Sequence, residues 1–265
     1  MVDLQAHVLP GLDNGAADEA TAIKMCQAAA RAGTRELVAT PSCAAQFNFD
    51  RSEVEAKTAE LEARLNGALH LHTGTVLELS HESLAAAMSD LSRFSINSRR
   101  YLLLRPSSGA LTRGVAKLLT AIKECGYTGI ISLPETLTLV QNDLRRVRHW
   151  IKRGSLVAIG ADSLAGRNGA RAEECATSLL DAELVHFIVS DARSVNRRTP
   201  SLDQAFRTVV YRWGQERAQR LLIDNPWAAL WGQPVEVRRP KLQDKSFSVR
   251  RALGLDSPAR KKARG

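Results

Sequence analysis

Seven short apolar runs punctuate the chain, at Val2–Ala6, Glu36–Thr40, Leu69–Gly74, Tyr101–Arg105, Gly129–Leu133, Leu156–Ala161 and His186–Ser190. Each spans five or six residues, the length of a strand buried on both faces rather than that of a helix. Between them the apolar period lengthens. Ala17–Ala32 has helical spacing and stops at Gly33, while Ser52–Asn66 opens on the capping pair Ser52 and Glu55 and stops at Gly67. Short apolar strands alternating with helices predict an α/β fold, a parallel sheet with covering helices. No repeat of fixed period and no low-complexity tract interrupts the body. Near the end, NPWAALWGQP at Asn225–Pro234 reads as a closing amphipathic turn or helix that packs Trp227 and Trp231 on the body. The stretch beyond it reads as a weakly ordered extension.

At 265 residues and 44% hydrophobic, the chain can bury a sizeable core, which excludes a disordered or collagen-like protein. Single α/β barrels run to about 250 residues, so the pattern predicts one domain over 1–235 and a basic tail over 236–265. The formal net charge of +9 sits mostly in that tail, where ten Lys/Arg face three Asp/Glu and leave the body only +2. Any contact with nucleic acid, an anionic membrane face or an acidic partner is therefore expected from the tail, through Arg250-Arg251 and Arg260 to Arg264, rather than from a groove in the fold. The four cysteines, Cys26, Cys43, Cys125 and Cys175, form no C-x-x-C pair, which fits reduced thiols in a cytoplasmic protein. Nowhere do 18 uncharged apolar residues follow one another, and Asp3 breaks the first apolar run, so neither a signal peptide nor a membrane span is expected.

In parallel α/β folds the ligand site forms where strand C-termini meet the loops that follow. Those positions hold Gln5 and His7, Asn14, Ser42 and Cys43, Val76 and Glu78, Arg105, Leu133 to Thr136, and Asp191 with Arg193 and Arg198. No P-loop, Rossmann glycine fingerprint or G-x-S-x-G occurs. His70 and His72 alternate along one strand and share a face; with no third ligand near, a half-exposed strand surface outweighs a metal pair. Cys43 at a strand end lacks the C-x5-R of cysteine phosphatases, because the sixth residue after it is Phe49, and it reads as a small, partly buried thiol.

Three stretches stand as whole motifs: VDLQAHVLPGLDNG at Val2–Gly15, GADSLAGRNG at Gly160–Gly169 and VHFIVSDARS at Val185–Ser194. Together they resemble the PHP (polymerase and histidinol phosphatase) superfamily, in particular the manganese-dependent protein-tyrosine phosphatases of bacterial capsule and exopolysaccharide loci. That family reads D-I-H-x-H-I-L-P-G-I-D-D-G at the first motif, then A-T-P-H, G-x-E, a lone Glu, H-x-E-R and finally S-D-x-H-N. The resemblance runs from Val2 to about Trp231 and implies a distorted (β/α)7 barrel of PHP type, with clustered metals at the strand C-termini and hydrolysis of phosphotyrosine by metal-activated water. It also implies extensive loss at the site. The family's ligands fall on Gln5, His7, Asn14, Ser42, Val76, Arg105, Leu133, Asp191 and Arg193, so His7 and Asp191 alone remain ligand-type, unless an insertion brings Glu78 into the place of Val76. The Arg of H-x-E-R is Thr136, whereas Arg198 and Arg167 keep basic character.

Val76 and Leu133 cannot donate to a metal, and Arg105 and Arg193 place fixed positive charge where cations would sit. Two like charges repel by about 4 kcal/mol at roughly 4 Å in an effective dielectric of about 20, and a divalent ion doubles that. No metal is therefore expected, with manganese or another divalent ion required only if the family activity persists. The arginines Arg105, Arg193, Arg198 and Arg167 have two readings, an anion pocket suited to phosphate and a set of ion pairs to Asp191 that fill a dead site. The ligand losses point to a catalytically inert binding or regulatory protein linked to capsule or exopolysaccharide biosynthesis, with a phosphotyrosine protein or the tyrosine kinase of polysaccharide export as partner. The alternatives are an active protein-tyrosine phosphatase with an altered site around His7, Asp191 and Arg198, and an adaptor for nucleic acid or membrane acting through the tail.

Overall fold

The computed structural model describes residues 1–43, 49–79, 87–106 and 114–238. Every one of the seven apolar runs contains a strand: β1 (Val2–Ala6), β2 (Glu36–Ala39), β4 (His70–Thr73), β6 (Tyr101–Pro106), β7 (Thr128–Ser132), β8 (Leu156–Gly160) and β9 (Phe187–Val189). Two further short strands prolong their predecessors, β3 (Ser42–Cys43) beyond β2 and β5 (Val76–Leu79) beyond β4. The breaks have local causes. Pro41 has no N–H for a ladder, and a Cβ at Gly74 would come within 2.9 Å of Val38 Cγ1.

All pairings are parallel, in the orders β1-β2-β4 and β3-β5-β6-β7-β8-β9. Pairing continues across the breaks through Gly74 N–H to Ala39 O (3.1 Å) and Val76 N–H to Pro41 O (3.1 Å). The end of β9 returns to β1 through Asp191 N–H to Gln5 O (3.0 Å), His7 N–H to Ala192 O (2.8 Å) and the bridge between Ala6 and Ala192. Hydrogen bonding thus runs round seven strand positions, the distorted parallel barrel that the resemblance implies.

Alternation along each strand divides the core. Leu4, Val38, Val76, Leu103, Ile130, Ala158, Phe187 and Val189 fill the barrel, whereas Leu102, Leu104, Ile131, Val157, Ile159 and Ile188 pack outward beneath helices. On the opposite flank Leu37 and Ala39 meet Ala22, Met25, Cys26 and Ala29 of helix α1 (Glu19–Arg31). Burial on both faces is why the strands read as continuous apolar runs rather than alternating ones.

Two local expectations need correction. Helix α2 (Arg51–Ala63) starts one residue before Ser52: Asp50 accepts from Ser52 N–H at 2.9 Å, so the Ser52–Glu55 capping pair does not form and Glu55 instead binds Arg51 at 2.7 Å. The buried Arg51 also reaches Ser95 O and the Thr73 hydroxyl, which fixes that first turn. In the closing helix Asn225–Leu230 it is Pro226, Ala229 and Leu230 that are buried, with Ala229 and Leu230 plugging the barrel; Trp227 and Trp231 stay 44% and 37% exposed. Trp231 still packs on the body as expected, edge-on against His72 and with Arg99 over its ring, and it meets Trp227 edge-on. Past Pro234, Val235 lies against the barrel core, Asn225 donates to Glu236 O and Arg238 pairs with Glu216. The clusters Arg250-Arg251 and Arg260 to Arg264 lie outside the described residues.

Candidate functional site

The site is built where β1 and the segment after β9 meet. Between Asp3 and Ala6 the β1–β2 register slips by one residue, and a bulge of this kind re-aims the side chains that follow it. Ala6 joins the outer core, while Gln5 and His7 reach inward to Asp191. The loop after His7 then folds back: Ala16 N–H bonds His7 O at 3.1 Å, and Asp13 accepts from Gly15 N–H (2.9 Å) and Ser42 N–H (2.7 Å). Gly15 is required here, because a Cβ on it would sit 2.2 Å from His7 O.

Asp191 is the hub. Its backbone takes φ +50°, a left-handed conformation that Asp tolerates better than most residues. Oδ1 accepts from Gln5 Nε2 (2.7 Å) and Arg105 Nη2 (2.5 Å), and Arg198 Nη1 approaches Oδ2 at 3.3 Å. Arg193 Nη2 lies 3.9 Å from Oδ1 and donates to His7 Nε2 at 3.0 Å. Asp13 Oδ2, a carboxylate oxygen that only accepts, lies 2.5 Å from Nδ1 and takes a proton from it, whereas Nε2 faces both a donor, Arg193, and an acceptor, Asp191 Oδ1 at 3.2 Å. Gln5 links this hub to the β7 end, since its Oε1 accepts from Ser132 Oγ at 2.5 Å.

The electrostatics follow from burial against charge. Burial works to raise the Asp191 carboxyl, but His7, Arg105 and Arg193 outweigh it and hold the group well below the ordinary carboxylate range. Asp13 is likewise held low, its burial outweighed by His7, Ser42 N–H and Arg193. Two neighbours go the other way. Burial pushes Glu135 up to about 7 and Asp3 to about 6, and the Asp191 charge adds to both. Glu135 Oε1 accepts from Gly160 N–H (2.8 Å) and Ser163 Oγ (2.7 Å), but its Oε2, like Asp3 Oδ2, is buried without a hydrogen-bond partner.

Of the residues singled out in the sequence, His7, Asp191, Arg105, Arg193, Arg198 and Gln5 converge at this hub. Arg167 does not join them: it pairs with Asp162 at 2.6 Å and donates to Gln204 at 2.9 Å. Asn14 is exposed, and Val76 is buried inside the barrel. Glu78 stands opposite Arg105 in the β5–β6 register, on the same strand face as Val76. Ser42 contributes its N–H to Asp13, and Leu133 takes φ +54° at the turn that leads to Glu135. Cys43 faces the outer core, its thiol raised by burial and then by Glu78. His70 and His72 do not act together, since His70 approaches Glu62 and His72 pairs with Glu36 at 2.7 Å. Sequence reasoning missed Asp13, Asp3 and Ser132, and it gave Glu135, within the Leu133 to Thr136 stretch, no role of its own. Asp13 and Glu135 occupy acidic positions of the D-D-G and H-x-E-R motifs, and that signal was available.

The metal cluster implied by the resemblance can be tested against these contacts. Both oxygens of Asp191 and Nε2 of His7 are engaged by guanidinium groups, and among the described residues no group of three or more His, Cys, Asp and Glu is disposed to hold an ion. The donors in this arrangement do not fit a cation cluster.

Comparison with known proteins places the chain. Residues 1–231 match the family model described as capsular polysaccharide synthesis, CpsB/CapC. The tyrosine-protein phosphatase YwqE of Bacillus subtilis is 27% identical over 252 residues, covering 91% of this chain and 98% of that protein. The putative tyrosine-protein phosphatase CapC of Staphylococcus aureus is 29% identical over 211 residues, covering 78% and 82%. Among solved structures, one from a study of YwqE from Bacillus subtilis and CpsB from Streptococcus pneumoniae, described as unique metal-dependent tyrosine phosphatases, superposes with a TM-score of 0.85 at 26% identity, over 92% of this chain and 100% of that one. With the fold matched along its length and the family model spanning the whole barrel, this chain belongs to the CpsB/CapC family of capsular polysaccharide synthesis.

Proposed function

We propose that this protein is directed at phosphotyrosine in capsular or exopolysaccharide synthesis, with tyrosine-phosphorylated proteins, the tyrosine kinase of polysaccharide export among them, as its partners. The family match and the relatives named as tyrosine-protein phosphatases support the substrate class. The observation that carries the reading at the site is the arginine cluster. Arg105 Nε is buried without a partner, and Arg198, 46% exposed, gives Asp191 only a 3.3 Å contact. Arg105, Arg193 and Arg198 would meet a phosphoryl group with forked donors that Asp191 does not use up.

Hydrolysis is the reading the relatives favour, and it takes precedence over the inert protein to which the ligand losses alone point. Transfer of the phosphoryl group to water needs donors for its oxygens, a base beside the water and an acid for the departing phenolate. The arginines would supply the first. Asp13 orients His7 as a base whose Nε2 becomes available when it is released from Arg193 and Asp191, and Glu135, near half-protonated at neutral pH, is the acid candidate. A second reading, binding without turnover, is favoured by one observation: the guanidinium contacts already occupy Asp191 and His7 Nε2.

Phosphate release from a phosphotyrosine peptide, followed on the full chain with and without manganese, decides between them. Turnover that disappears in Asp191→Asn and His7→Ala supports the phosphatase reading. Saturable binding with no phosphate release supports the second. A cytoplasmic location fits either reading, and no described helix is long and apolar enough to cross a membrane.

A further inference from the structure

On the outside of the barrel, the helices Thr138–Asn142 and Ala170–Asp181 leave a pocket of about 410 Å³ lined by Gln141, Asn142, Leu144, Arg171, Glu174, Cys175 and Ser178. That volume falls within the range of small-molecule sites, about 300–1,000 Å³. One wall is a single helix face, because Arg171, Glu174, Cys175 and Ser178 stand at i, i+3, i+4 and i+7. Five of the pocket's seven side chains carry hydrogen-bonding groups; Leu144 and Cys175 supply the apolar part.

Three of the polar side chains are already held in place. Gln141 Nε2 donates to Glu135 O at 2.9 Å, and Arg171 Nη2 donates to Asn142 Oδ1 at 2.7 Å, across the two walls. Donors and acceptors fixed in this way lose little freedom when a ligand arrives. Their chemistry narrows the ligand. One guanidinium and one carboxylate cancel, which disfavours a polyanion such as a nucleotide. No aromatic ring lines the pocket to stack a base, and the apolar part is too small for a lipid chain. Side-chain amides, a guanidinium, a carboxylate and a hydroxyl set around a neutral space match a ligand dense in hydroxyl groups.

We infer that this pocket is a saccharide site, taking one or two sugar units through Gln141, Asn142, Arg171, Glu174 and Ser178. The inference stands apart from the phosphotyrosine reading and survives its failure. The probes are D-glucose, D-galactose, D-glucuronate and maltose, titrated into the full chain by saturation-transfer NMR and calorimetry, with glycine and L-arginine as zwitterionic controls. At least one sugar saturates the protein and outcompetes the controls. Arg171→Ala, an exposed position whose loss leaves the helix intact, weakens that sugar about tenfold, and Ser178→Trp, which fills the space, abolishes binding. Thermal unfolding and the circular-dichroism spectrum are unchanged in both variants, which certifies their fold. Failure of all four sugars to saturate, tighter binding of either amino acid, or indifference of the bound sugar to Arg171→Ala in a folded protein overturns the assignment.

Discussion

Asp191 ties together side chains from the β1 end, β6 and the loop after β9, and its removal should be felt beyond the lost bonds. Asp191→Ala leaves Arg105 and Arg193, both largely buried, without their shared carboxylate, and breaking a buried pair from one side costs about 3–5 kcal/mol. Alanine also tolerates the left-handed backbone at 191 poorly. Asp191→Asn keeps the shape, the bond from Arg105 and the backbone preference, so thermal unfolding should rank the proteins wild type, Asn, Ala, with Ala lowest. The carboxyl of Asp191, held low in the fold, contributes stability above the ordinary carboxylate range that disappears as pH falls through its folded value. Glu135 has the opposite sign. Raised to about 7, it binds its proton more tightly folded than unfolded, so the protein loses stability as pH rises from the ordinary carboxylate value through 7, by at most about 3 kcal/mol. Glu135→Gln removes that loss: denaturant titrations should show it less sensitive to pH between about 5 and 8 than the wild type. An equal decline in both proteins would mean that Glu135 is ionised in the fold.

At the scale of elements, the loop between β1 and α1 is what turns a strand end into a site. It must pass so close to His7 that no side chain fits at Gly15, and it delivers Asp13 to the imidazole. Gly15→Ala should push the loop off, separate Asp13 from His7 and lower stability by about 1–3 kcal/mol, as overpacking does. The imidazole Nδ1–H signal in NMR would shift or vanish with it; an unchanged signal contradicts this account of the loop. The strands themselves were legible, because burial on both faces writes each as an unbroken apolar run, and so was the helix stop at Gly33, whereas α2 ends at Ala63, short of the Asn66 read from the sequence. The short continuations β3 and β5 were not, since a Pro and a Gly interrupt runs whose pairing goes on. The α2 cap was misplaced because Asp50 and Ser52 compete for one helix start, and the burial of Arg51, which decides it, depends on the distant Thr73 and Ser95. Around the site, Asp191 and the three arginines of the hub could be read from strand ends. Asp13 was passed over for its neighbour Asn14, and the partnerships of Gln5 with Ser132 and of Arg167 with Asp162 are long-range facts that no local pattern encodes.

Over the whole molecule, the barrel gathers three guanidiniums at one end while leaving its body close to neutral, and it keeps the family's fold over the matched residues 1–231. The basic segment after Pro234 adds a separate charge whose contacts with polyanions should weaken steeply with salt, whereas a forked, partly buried phosphoryl contact should persist. The central claim is that the arginines around Asp191 recognise a phosphoryl group on tyrosine. The most direct test measures, at physiological salt, the affinity of the full chain for a phosphotyrosine peptide and for its unphosphorylated counterpart, in the wild type and in Arg198→Ala. This account predicts at least about a tenfold preference for the phosphopeptide and a loss of about tenfold of that affinity in Arg198→Ala, as expected for one charge-assisted contact. Equal affinity for the two peptides, or a preference that survives Arg198→Ala unchanged, would contradict it.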